Sequence, residues 1–203
     1  KYLNQYLNKI LGTDNKDYVL ASDTDSGYIT FDELVNKSFK TEGVASESES
    51  GLQRERVVGF LDRLAREKIE PFIDRSYQDL AEYVSAYDQK MSMKREVIAD
   101  KGIWTAKKRY ILNAWDIEGV KYKEPQLKIM GLEAVKSSTP APCRQKIKDA
   151  LKIIMSGNEK MLNTFIQEFR EEFMSLPPED IAYPRSVNGL SKFSDPNQLF
   201  AKG

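Results

Sequence analysis

Tyr18-Val19-Leu20-Ala21-Ser22 and Gly27-Tyr28-Ile29-Thr30-Phe31 are two runs rich in β-branched and aromatic residues, separated by Asp23-Thr24-Asp25-Ser26. Such side chains suit a pleated, half-buried surface, and Asp and Ser favour tight turns, so the stretch predicts a β-hairpin. A hairpin cannot stand alone in water, and the rest of the chain must cover it. Its tip carries two aspartates at i and i+2, a spacing that puts both carboxylates on one face.

The covering elements are visible on either side. Tyr2, Leu3, Tyr6, Leu7, Ile10 and Leu11 recur at helical spacing and stop at Gly12. Helical period returns over residues 52–87 through Val58, Leu61, Ala65, Ile69, Ile73 and Leu80, with Pro71 inside, where a proline should kink or split the helix. Residues 39–51 are mostly Ser, Glu, Thr and Gly and are expected to form a mobile linker, because they bury too little to offset the entropy of ordering. Residues 96–99 and 104–115 are expected as strands, and Glu118-Gly119 as a tight turn into Val120-Lys121-Tyr122. Ser137-Ser138-Thr139-Pro140 suggests a capped helix start, Gly157 separates two antiparallel helices, and Pro177-Pro178 closes the pair before an irregular tail.

Composition narrows the chemistry. Lys plus Arg and Asp plus Glu are 31 each, so any case for nucleic acid rests on local clusters such as Lys107-Lys108-Arg109 and residues 144–152. Histidine is absent, which removes Ser-His and Cys-His catalysis and the usual zinc ligand sets. The single Cys143 cannot form an internal disulfide. No apolar run approaches the roughly 18 residues of a membrane span. A cytoplasmic protein is expected. The chain opens inside a helical pattern without an initiator Met, as an excised piece would.

Asp23 and Asp25 admit more than one reading. Asp-Thr-Asp-Ser can be plain turn chemistry. Alternatively, close carboxylates that repel one another can share a hard cation such as Mg²⁺, the arrangement that two-metal phosphoryl transfer uses. A calcium loop fails on register, since counting from Asp23 places Tyr28 where Gly is required and Leu34 where the bidentate Glu is required.

Asp23-Thr24-Asp25-Ser26 between apolar strands resembles the Tyr-Gly-Asp-Thr-Asp-Ser motif of family B DNA polymerases. It is followed in that family's order by Met93-Lys94-Arg95-Glu96-Val97-Ile98-Ala99, Trp104-Thr105-Ala106-Lys107-Lys108-Arg109-Tyr110, Lys128-Ile129-Met130-Gly131-Leu132-Glu133 and Lys136-Ser137-Ser138-Thr139-Pro140. The last two stretches, with Arg66-Glu67-Lys68-Ile69-Glu70-Pro71, look most like the T4-type phage enzymes.

The resemblance implies an α+β fold: a polymerase palm-type antiparallel sheet backed by helices over residues 1–136, with a helical thumb base beginning over 137–203. It implies a fragment of a DNA-directed DNA polymerase that extends a primer by two-metal nucleotidyl transfer, inactive alone. Asp25 would bridge two Mg²⁺ ions, Asp23 would be a weaker ligand, and Glu96 a third acidic residue, although a strand-end salt bridge to Arg95 is the plainer alternative. Lys108 would reach the minor groove at the primer end, supported by Lys107, Arg109 and Tyr110; in a single strand Lys108 and Tyr110 would share one face, and a solvated basic edge is the alternative. Primer-template DNA, deoxynucleoside triphosphates and the exonuclease, fingers and amino-terminal domains would be the partners, and a bacterial host's cytoplasm the setting.

Departures are also plain. Ala21-Ser22 stands where the family has Tyr-Gly, and Gly27 where a β-branched or apolar residue is usual. The family's other metal-bridging aspartate and its nucleotide-binding finger helix do not appear, leaving half of an active site. A split-polymerase subunit and a non-catalytic nucleic-acid-binding module derived from such a polymerase stay open as alternatives.

Overall fold

The computed structural model describes residues 1–39 and 47–184. The chain is α+β and forms two compact units, Lys1–Lys128 and Ile129–Gly203. The first is organised around the expected hairpin. Helix α1 (Tyr2–Leu11) ends at Gly12, which adopts the left-handed conformation (φ 63°) that glycine reaches without penalty. Leu7 is fully buried against Tyr18 and Ile69, with Leu3, Tyr6, Ile29, Phe31 and Ile73 packed around them. Two polar residues on α1 fasten it to the chain entering the hairpin. The Asn4 carbonyl accepts from the amides of Tyr18 and Val19 (3.1 and 3.0 Å), and Asn8 bonds both backbone groups of Lys16 (2.7 and 2.9 Å).

Strands β1 (Val19–Ser22) and β2 (Gly27–Ile29) pair antiparallel as expected, with Ser22 opposite Gly27 and a bulge between Val19 and Ala21. Helix α2 (Asp32–Ser38) was not foreseen; it carries Asp32 and Glu33 in its first turn, where the helix dipole favours them, but has no side-chain cap to announce it. The linker expected over 39–51 lies partly outside the described residues. Its last five residues correct the expectation, because helix α3 begins at Glu47 (Glu47–Leu64). Helix propagation from the apolar stretch beyond Gly51 carries these polar residues at low cost per residue.

Pro71 acts as expected, and the structure shows how. A single π turn, Ala65–Ile69, separates α3 from α4 (Glu70–Tyr83), and Pro71 sits in the first turn of α4. There its missing N–H costs little, and the wider turn relieves the clash a proline ring makes with a regular helix. Tyr6 exploits the irregularity: its ring stacks on Phe72 at 4.0 Å and its hydroxyl donates to the Lys68 carbonyl (3.0 Å).

Strands β3 (Val97–Ala106), β4 (Arg109–Ile117) and β5 (Val120–Met130) form a sheet in that order. Glu118 and Gly119 both have positive φ (53° and 88°), the signature of the two-residue turn read from the sequence. The continuous strand expected over 104–115 is corrected. Ala106 pairs with Arg109, and Lys107-Lys108 form a second two-residue turn with Lys108 left-handed (φ 60°). Two lysines carry none of the usual turn chemistry, and bulges in β3 hide its period.

One ion cluster ties helix to sheet. The Arg95 guanidinium donates to Asp62 of α3 (2.6 and 3.1 Å) and to Asp116 of β4, while its amide donates to Glu70 (2.9 Å). Asp116, only 1% exposed, also accepts the Gly119 amide (2.9 Å) and so braces the β4–β5 turn. Beside it Val58, Ile98 and Trp115 form a small core with Leu61, and the Arg54 guanidinium lies over the Trp115 ring at 3.9 Å.

In the second unit, α5 (Ala141–Ser156) and α6 (Glu159–Ser175) form the expected helix pair about Gly157. A Cβ there would lie 2.9 Å from the Ile153 carbonyl, which accounts for the glycine. The expected Ser/Thr cap is corrected: Pro140 occupies the N-cap of α5 and no side chain caps it, whereas Asn158 does cap α6 by accepting from Met161 (3.0 Å). The tail forms one short helix, α7 (Pro178–Ile181), before residues 185–203, which lie outside the described set. Among the described residues no helix is long and apolar enough to cross a membrane.

Removing Arg95 leaves Asp116 buried with only one backbone partner. Arg95→Met is expected to destabilise the first unit by about 3 kcal/mol in denaturant titrations. Burial opposes ionisation of Asp62, but hydrogen bonds from Arg95 and Arg66 outweigh it and hold its pKa below the usual carboxylate value. A depressed folded pKa gives stability that is present above the unfolded pKa and lost as pH falls through the folded one. Stability should therefore fall below about pH 4, and Asp62→Asn should flatten that part of the profile while lowering stability at neutral pH.

Candidate functional site

The tip of the first hairpin is a closed turn in which the Asp23 amide donates to the Ser26 carbonyl (2.9 Å). Asp23 is half-buried and Asp25 exposed. Asp23 Oδ1 accepts from the Thr24 amide (2.8 Å), and Oδ2 faces Lys108 Nζ at 3.8 Å. Its carboxyl is held below the usual range, chiefly by that amide, against the opposing effect of burial, with Lys108 and Lys107 adding attraction.

Lys108 reaches Asp23, and Lys107 comes near enough to act on it by charge, because the two hairpins touch. Tyr28 of β2 lies edge-on between Trp104 of β3 and Tyr110 of β4, with ring centroids 5.2 Å from each. Burial, reinforced by the Tyr28 hydroxyl, pushes the Tyr110 phenol well above its ordinary pKa, so it stays a neutral donor. Lys107 and Lys108 occupy the exposed turn and Arg109 and Tyr110 the half-buried start of β4, so the alternation of faces expected for a single strand does not apply. Thr105 Oγ1 donates to the Arg109 carbonyl (3.3 Å) across the base of this turn.

Glu96 stands apart. It precedes β3, its carboxylate pairs with Lys128 rather than Arg95, and its carbonyl accepts the Glu118 amide (2.7 Å). Among the described residues no three acidic, histidine or cysteine side chains gather closely enough to hold a metal ion. Asp23 and Asp25 have the oxygen donors a hard cation prefers, but two carboxylates do not complete its shell. A cleft of about 790 Å³ lined by Arg66, Glu70, Lys94, Arg95, Asp116 and Lys121, among others, carries charges of both signs. Arg95 and Lys94 are already paired there, so the cleft belongs to the ion cluster that joins helix and sheet.

The aromatic seat of the basic turn and the Thr24 amide were not foreseen. The signal for the first was an aromatic residue on each arm of the second hairpin, Trp104 and Tyr110, together with Tyr28 on the first.

No protein-family model matches the chain. It is 40% identical over 199 residues to the DNA-directed DNA polymerase of Escherichia phage RB69, an alignment covering 94% of this chain and 21% of that protein. It is 33% identical over 205 residues to the DNA-directed DNA polymerase of Enterobacteria phage T4, covering 95% of this chain and 22% of that protein. The chain is thus related to the DNA-directed DNA polymerases of T4-like phages, and it spans about a fifth of the length of these curated relatives.

The two causes that hold Asp23 ionised are separable. Lys108→Met should raise the Asp23 pKa, followed by the carboxyl carbon shift in NMR, only part of the way to the ordinary value, because the Thr24 amide remains.

Proposed function

We propose that the chain is part of a family B DNA-directed DNA polymerase, with residues 1–136 belonging to its palm and 137–203 to the start of its thumb. The observation that carries this reading is the meeting of an Asp-Thr-Asp-Ser hairpin tip with a basic turn 3.8 Å away. An acidic pair beside a cationic hairpin suits a site where a primer end meets the charge of an incoming deoxynucleoside triphosphate.

In this reading Asp25 and Asp23 contribute oxygen ligands to Mg²⁺, and the remaining ligands come from substrate and from parts of the longer protein. The metal, when bound, supplies activation of the attacking oxygen and stabilisation of the leaving one. Lys108 reaches the minor groove of the primer-template duplex, and Lys107 and Arg109 neutralise its phosphates. Tyr110 seats the turn through Tyr28. Glu96 sits at the margin, with Lys128 as its counter-ion. The exonuclease, fingers and amino-terminal domains complete the machine, in the cytoplasm of an infected host.

The chain alone should extend a primer no faster than a no-enzyme control, since two carboxylates do not fix two ions for in-line displacement. In a full-length enzyme carrying this segment, Lys108→Ala should impair extension on all templates alike, because the minor groove offers the same acceptors at A·T and T·A. Arg109→Ala should lower the log-log salt slope of duplex binding by about 0.9, the value for one phosphate contact, and Lys108→Ala by less. Parental extension rates in both variants would remove the primer-holding role.

A further inference from the structure

Asp23 presents its carboxylate oxygens to different partners. Oδ1 is turned to the Thr24 amide (2.8 Å), whereas Oδ2 faces the Lys108 ammonium at 3.8 Å. The ammonium arrives there by construction. Lys108 sits in left-handed backbone (φ 60°) at the tip of the β3–β4 hairpin, and Tyr28 holds that hairpin to the one bearing Asp23 through its contacts with Trp104 and Tyr110. The lysine side chain is nevertheless 68% exposed, so it is open to anything else that binds cations.

A metal ion that binds Asp23 through Oδ2, the oxygen no amide occupies, meets the oxygen that Lys108 already faces. Two cations cannot share one oxygen at short range without repulsion. An exposed ion pair at this distance is weak, however, and yields to a stronger partner. The acceptors of a nucleic-acid duplex are such a partner for Lys108, and drawing the ammonium toward them uncovers Oδ2.

We propose that Lys108 is an internal counter-cation for Asp23, and that duplex at the Lys107-Lys108 turn and a divalent cation at the aspartates therefore bind cooperatively. The inference rests on the polymerase reading and deepens it: the basic turn holds the acidic tip quiet until a primer-template displaces it. Linkage makes the effect reciprocal, so metal at Asp23 strengthens duplex binding by the same factor.

The test is a Mn²⁺ titration of the chain followed by paramagnetic broadening of the Asp23 and Thr24 amide signals. It is run on the parent, Lys108→Met and Lys107→Met, each with and without a short DNA duplex at equal free Mn²⁺. Methionine keeps the length of the stem and removes the charge. Without duplex, Lys108→Met should broaden at about two- to five-fold lower Mn²⁺ than the parent, as displacement of one exposed ion pair implies. Lys107→Met, which removes the same charge from the same turn, should shift less. Duplex should bring the parent to the Lys108→Met concentration and move that variant less than it moves the parent. Equal titrations of parent and Lys108→Met without duplex would overturn the coupling alone. Absence of broadening at Asp23 in every variant would overturn it together with the metal-ligand reading beneath it.

Discussion

Arg95 is the residue on which the first unit turns. Its guanidinium joins Asp62 of a helix to Asp116 of a central strand, and its backbone amide is held by Glu70 at the start of the next helix. A buried ion cluster of this kind contributes modestly to net stability, because desolvation cancels much of the attraction. It is demanding in geometry, however. Each oxygen must find its donor, so the cluster ties the sheet to the helices directionally, beside the non-directional apolar contacts of Val58, Ile98 and Trp115. Asp116 passes the constraint onward by accepting the Gly119 amide, so the turn that launches β5 is set by the same cluster.

The second constraint is aromatic. Tyr28 lies on a hairpin too short to be stable alone, and Trp104 and Tyr110 lie on opposite arms of another. Their edge-on packing joins two sheets that share no hydrogen-bonded strand pair. It also converts two separate sequence clusters, one acidic and one basic, into neighbours. A chain with no net charge thereby acquires a sharply polar spot, which is the scale on which charge matters to recognition.

Much of this was legible where a local rule has a sharp chemical cause. Gly12, Glu118-Gly119 and Gly157 marked their breaks because each position demands a conformation or clearance that few residues allow. Pro71 marked the helix division because it lacks an N–H, although the π turn that accommodates it has no sequence signature. The Lys107-Lys108 turn was missed because lysine has no preference for left-handed backbone, and what forces Lys108 there is the pairing of Ala106 with Arg109 on either side. Asn4 and Asn8 were missed for a similar reason: periodicity counts apolar residues, and these two act by hydrogen bonds to chain segments that only the fold brings near. Of the site residues, Asp23, Lys107, Lys108 and Tyr110 gather at one place, and Glu96, paired with Lys128, lies near enough to Tyr110 for its charge to act on the phenol.

Gly27 does not have positive φ, and a Cβ added there would meet nothing within 4 Å, so neither the turn nor crowding requires a glycine. Its partner across the strand pair is Ser22, which is exposed. A bare pair of small residues at the root of the tip leaves the acidic turn without side-chain packing of its own on that rung. Its position then depends on the Asp23–Ser26 backbone bond inside the turn and on Tyr28 one residue further along. The tip is therefore held from the neighbouring hairpin as well as by its own backbone bonds, and the aromatic contacts that seat the second hairpin also position the aspartates. With small residues at 22 and 27, the packing that positions the acidic tip comes from Tyr28 against Trp104 and Tyr110, and so from the strands that carry the basic turn.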